Sequence, residues 1–196
     1  MRARGIRRTT ASRAIRALLA TLLVAAAATA TAGGWRALDL PERLDATREA
    51  FVGRVAFVDV EVRDGEPWTL LTLEVERWWR REGRAADDGP SEVRVALWGG
   101  RAPGAPTLIV AGTPAFTVDE RVILWLRSLD DGLAVPIVGI DQGLWRATDG
   151  AWHGTDGRTL GIGAGGRPQL DGSTAPDTLL FDAIDAAFRE LEGGAP

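Results

Sequence analysis

The chain has 196 residues, 45% hydrophobic and 26% charged, with eight tryptophans, no tyrosine and a formal net charge of −4. It has no cysteine, which excludes a disulfide framework and thiolate chemistry. The acidic balance argues against nucleic acid as a partner, because phosphate contacts need a basic face.

Six arginines between Arg2 and Arg16 precede an apolar run, Ala17 to Ala27, and the small-residue pairs Ala28-Thr29-Ala30 and Ala30-Thr31-Ala32. A basic stretch, an apolar stretch and an A-x-A site in this order predict a signal peptide over residues 1–32, followed by a linker over 33–39. The expected setting is periplasmic or secreted, with membrane association only if the leader is uncleaved. Arg7-Arg8 leaves the export route open between the general and twin-arginine pathways. Without the leader, 17 arginines face 27 acidic residues, a net charge of −10.

Pro41 suits a first helical position, and Leu40, Leu44, Thr47 and Phe51 recur at helical spacing, so a short helix is predicted over 40–50. Residues 51–62 read as a strand in which Gly53 marks a bulge or bend. After the turn at Asp64-Gly65, residues 68–80 form a second strand, with Leu71, Leu73 and Val75 on one face and Thr72, Glu74 and Glu76 on the other. Trp78 and Trp79 are adjacent, so in a strand they point to opposite faces and one leaves the core side. Both are taken as candidate ligand-binding residues.

Val93, Val95 and Leu97 predict a third strand ending at Gly99-Gly100, 107–111 a fourth, and Val122 to Leu126 a fifth, buried on both faces. Asp130-Asp131-Gly132 signals a hairpin into a sixth strand over 133–139, with Pro136 placing it at an edge. A last short strand covers 143–147. Residues 148–175 read as a Gly- and Asp-rich loop, and 176–192 as an amphipathic helix with Leu180, Ile184, Ala187 and Phe188 on one stripe. The expectation is a mainly β protein: one antiparallel barrel over 40–147 with its leading helix, covered by a C-terminal helix.

The ordered pieces Phe51-Val-Gly-Arg-Val55, Thr69 to Val75, Val93 to Gly100, Gly112-Thr-Pro-Ala-Phe116, Glu120 to Trp125 and Val138-Gly-Ile-Asp-Gln-Gly143 resemble a widespread exported bacterial and archaeal β-domain of unassigned function. That domain is similar to oligosaccharide-binding (OB-fold) and netrin-like, metalloproteinase-inhibitor-like barrels. The resemblance implies an architecture and an exported setting, and no activity. The animal inhibitor relatives use an N-terminal cysteine that this chain does not have.

No catalytic set is recognisable. His153 is the only histidine, Ser91, Ser128 and Ser173 lack a nucleophile context, and Asp87-Asp88 and Asp130-Asp131 sit where turns use aspartate. Gly161 to Gly166 matches a dinucleotide fingerprint but Pro168 follows and no βαβ unit surrounds it. No EF-hand spacing accompanies the Asp-Gly turns. No cofactor or metal is therefore expected. The sequence suggests a non-catalytic binding or interaction module of the cell envelope, with an envelope polysaccharide or an exported protein as its partner. The alternatives are a carboxylate-based extracytoplasmic hydrolase and an accessory or inhibitor-like partner of an exported protease.

Overall fold

A computed structural model describes residues 36–80, 89–129 and 132–193; the leader, Trp35, Asp87-Asp88 and Asp130-Asp131 lie outside the described residues. Helix α1 spans Leu40–Ala46, and α2 spans Asp177–Gly193. Between them run β1 (Glu49–Arg63), β2 (Glu66–Arg80), β3 (Glu92–Trp98), β4 (Arg121–Leu126), β5 (Leu144–Thr148), β6 (Ala151–Gly154), β7 (Thr159–Ile162) and β8 (Pro168–Leu170). All eight belong to one antiparallel sheet in the order β3-β2-β1-β4-β5-β6-β7-β8. The protein is mainly β, as its alternation predicts, but the sheet is not closed: β3 and β8 stand at its two ends.

Local chemistry explains the connections. Asp64-Gly65 and Asp149-Gly150 both have two successive positive φ angles (51° and 84°; 51° and 76°), the geometry of the two-residue turn whose twist matches antiparallel strands. In β1 the register slips between Val52 and Gly53 and again between Val55 and Phe57. At the first slip a side chain is excluded, because a Cβ on Gly53 would lie 2.7 Å from the Glu74 carbonyl oxygen.

The predicted strands at 107–111 and 133–139 shrink to isolated bridges, Gly100 with Leu108 and Leu126 with Ile137. The second segment nonetheless runs between β3 and β4. Trp98 N–H donates to Ala134 O (2.7 Å), Arg127 N–H to Pro136 O (2.9 Å) and Val138 N–H to Trp125 O (2.9 Å). Pro136 has no N–H to offer a ladder, which keeps this pairing to single bonds. The larger correction concerns 148–175, which is not a loop but carries β6, β7 and β8. Its glycines are there for packing as well as turning: a Cβ on Gly161, within β7, would stand 2.5 Å from Ser173 O.

The sheet buries a core on each face. On one, Ala50, Val52, Ile123, Trp125, Trp145, Trp152 and Leu160 pack against Leu180, Phe181, Ile184 and Phe188 of α2. On the other, Phe51, Val55, Leu71, Leu73, Val93, Val95, Leu97, Val122 and Leu124 pack together. Two arginines on strands, Arg121 of β4 and Arg77 of β2, help fasten helix α2. Arg121 pairs with Glu76 and Asp177 (both 2.5 Å) and lies 5.1 Å from the Trp152 ring centroid and 6.0 Å from that of Phe181, while Trp152 Nε1–H donates to Asp177 (2.9 Å). The hydrogen bond to Glu76, reinforced by Asp177, holds the Arg121 guanidinium above its ordinary pKa despite the cost of burial. Arg77 pairs with Asp185 and Asp182 on α2 and lies 6.0 Å from the Phe181 ring centroid. Arg121→Met is expected to cost about 1–2 kcal/mol, a modest figure because the site stays partly hydrated. Chemical denaturation checks it through a lower midpoint, together with faster amide exchange in α2.

Candidate functional face on the outer side of the sheet

Alternation from the second core determines what faces outward on β1, β2 and β3. Leu71 and Leu73 are buried on β2, and Val93, Val95 and Leu97 on β3, so Trp68, Leu70 and Thr72, and Ala96 and Trp98, present the opposite face. Phe57 pairs with Thr72 and shares that face. The other half of the same face is covered by α2, with Leu40 of α1, through the core cluster around Trp125. This half belongs to neither apolar cluster. Phe57 is 67% exposed there, and Trp68, Leu70, Thr72, Ala96 and Trp98 are half-buried.

The rings on this face are held, not loose. Trp98 Nε1–H donates to Glu66 Oε2 (2.8 Å), and the Arg63 guanidinium sits 5.6 Å from the Trp68 ring centroid while pairing with Glu61. Asp59 lies between Phe57 and Glu61 on β1, opposite Leu70. The result is a surface of aromatic faces interspersed with carboxylates, groups that can stack on apolar ring faces and accept hydrogen bonds from hydroxyls. At the Trp98 end it adjoins a cavity of about 270 Å³ lined by Thr69, Gly99, Gly100, Leu108 and Thr113. The Thr113 hydroxyl is buried there without a hydrogen-bond partner among the described residues.

The tryptophan pair singled out from sequence is elsewhere. Trp78 and Trp79 do point to opposite faces, but both are buried, at 6% and 3% exposure. Trp78 stacks on Phe51 (5.5 Å, 5° between planes) in one core, and Trp79 meets Phe181 edge-on (5.7 Å) in the other. Neither is a surface contact, because this long sheet has a core on both sides at that point. Trp152 is likewise buried, at 3% exposure. Trp68, by contrast, is half-buried on the open face.

Comparison with protein-family models, curated proteins and solved structures gives no match for the chain.

The other chemistry-bearing residues do not converge. His153 is half-buried in the middle of β6, opposite Arg146 on β5 and Thr159 on β7. Among the described residues, no three His, Asp or Glu side chains come together as a metal site would need. Gly161 and Ile162 belong to β7, and Gly165 and Gly166 form the turn into β8, so the glycine series opens no helix. A second groove, about 620 Å³, lies between α1, β8 and α2 and is lined by Leu40, Leu44, Leu170 and Leu191. Arg158 and Arg167 at its rim are already paired, with Asp171 and Glu190.

Proposed function

We propose that the chain is an exported, non-catalytic binding module of the cell envelope, which holds a polysaccharide on the outer face of β1, β2 and β3. The single observation that supports this reading is the uncovered face itself, with Phe57, Trp68 and Trp98 on three adjacent strands and Asp59, Glu61 and Glu66 beside them. Aromatic rings stack on the apolar faces of sugar rings, and carboxylates accept hydrogen bonds from hydroxyls. The acidic side chains favour a neutral or amino-bearing polymer over an anionic one.

We also infer that the strand arrangement is of the OB-fold or netrin-like kind. The backbone bonds of 134–138 to Trp98 and to the end of β4 support that reading, since they run where a closing strand would lie.

Soluble chitosan oligomers, which bear amino groups, and a neutral β-glucan are the probes for the binding claim, titrated against the full chain by tryptophan fluorescence. Trp68→Ala and Trp98→Ala are each expected to weaken binding at least about tenfold. Their folding midpoints should stay close to the parent's, since half-buried surface rings carry little core. Binding that survives both substitutions, or that appears only with a protein partner, removes the polysaccharide reading.

A further inference from the structure

The geometry points to a second binding surface, the free edge of β3, whose occupant is β3 of a second copy of this chain. The inference is independent of what the outer face binds. At one end of the sheet, β8 is three residues long and begins at Pro168, a short and poorly pairing edge. At the other end, β3 is seven residues long, and among the described residues only its last residue has a backbone partner beyond β2.

Two hydrogen bonds assign which groups of β3 point outward. Gly99 N–H donates to Pro67 on the β2 side, and Trp98 N–H donates away from β2, to Ala134 O. With the two-residue period of a strand, Glu92, Arg94 and Ala96 therefore turn their N–H and C=O groups to the open side. Nothing among the described residues pairs with them.

The side chains at this edge are complementary to themselves. Arg94 is 77% and Glu92 54% exposed, and the contact between them within the strand is 3.6 Å, too long for a hydrogen bond and weak in water. If two copies of β3 align antiparallel about Val93, Glu92 of each stands directly opposite Arg94 of the other. Such opposed side chains lie within about 5.5 Å at Cβ, close enough for two cross-strand ion pairs. In this register Ala96 N–H meets Pro90 O of the second copy, and Pro90, lacking an N–H, ends the ladder. A slip of one residue pair along each strand would place Arg94 against Arg94, so the charges also select the register. The contact is small, which makes it a weak, reversible dimer rather than an obligate one. It would join the outer faces of two copies into one surface.

Sedimentation equilibrium of the full chain, from about 10 µM to about 1 mM, covers the range in which so small an interface dissociates. A monomer–dimer equilibrium is expected. Arg94→Glu should weaken it at least about tenfold by placing like charges opposite each other, and adding Glu92→Arg should restore it. Ala96→Pro, which deletes an outward N–H that β2 does not use, should weaken it as well. A monomer across the whole range, a dimer indifferent to Arg94→Glu and Ala96→Pro, or a folded double-swap variant that stays dissociated would overturn the proposal.

Discussion

Arg43→Met is expected to destabilise the fold by about 3 kcal/mol, at the lower end of what breaking a buried ion pair costs. Arg43, on α1, is 1% exposed. Its Nη2 lies 2.7 Å from Asp156 Oδ2, its Nη1–H donates to Gln142 O (2.8 Å), its Nε–H donates to Leu38 O (3.0 Å), and its guanidinium sits 5.8 Å from the Trp145 ring centroid. Methionine fills much of the same volume but returns none of these bonds, leaving two backbone carbonyls short of a donor. The loss stays at the lower end because Asp156 is 31% exposed and can rehydrate.

The same contact sets an acid dependence. Burial pushes the Asp156 carboxyl up, but the hydrogen bonds from Arg43 and from Arg158 N–H, with the charges of both arginines, outweigh it and bring it below its ordinary 3.8. A carboxyl lowered by folding contributes stability that is fully present above its unfolded pKa and is lost as pH falls through the folded one. Denaturation midpoints of Arg43→Met and the parent should therefore differ most at neutral pH, and the gap should narrow in acid, below the ordinary carboxylate range, to what the untitrating bonds to Leu38 O and Gln142 O contribute.

Trp78→Ala and Trp79→Ala are each expected to cost about 3–5 kcal/mol of stability, the range for emptying a large aromatic site in a core. Trp78 belongs at the upper end, since it lies flat against Phe51 and a Cβ on Gly89 would come within 2.6 Å of it. Trp79 belongs lower, because its indole N–H is buried without an acceptor among the described residues. Removing an unsatisfied donor offsets part of the cavity cost. Trp79→Phe separates the two effects, and its midpoint should fall far less than that of Trp79→Ala. Urea denaturation measures both, and a loss under about 1 kcal/mol for Trp78→Ala would contradict its place in the core.

Much of the sheet was legible in the sequence because period-two alternation survives in β2 and β3, and because Asp-Gly turns need their particular backbone. The bulge at Gly53 was legible for the same reason, as a glycine inside an apolar run. The proposed binding face was only half so. Trp98 follows Val93, Val95 and Leu97 in the alternate phase, so its outward direction could have been read. Phe57 could not: counted from Val55 it falls on the core side, and only the register shift between Val55 and Phe57 turns it outward. Trp78 and Trp79 misled because alternation shows that two neighbours diverge but not that both faces are covered. Strands β6 to β8 were hidden by their length of three or four residues and by glycines such as Gly161, whose role as a close backbone contact resembles a loop in composition.

Oxidative footprinting of the tryptophans in the full chain, with and without a saturating neutral or amino-bearing glycan, bears most directly on the proposed binding face. Trp68 and Trp98 should react in the free protein and be protected when the glycan is bound, while Trp78, Trp79, Trp125 and Trp145 stay unreactive in both states. Bound glycan that leaves Trp68 and Trp98 as reactive as before would contradict the assignment of the outer face of β1, β2 and β3.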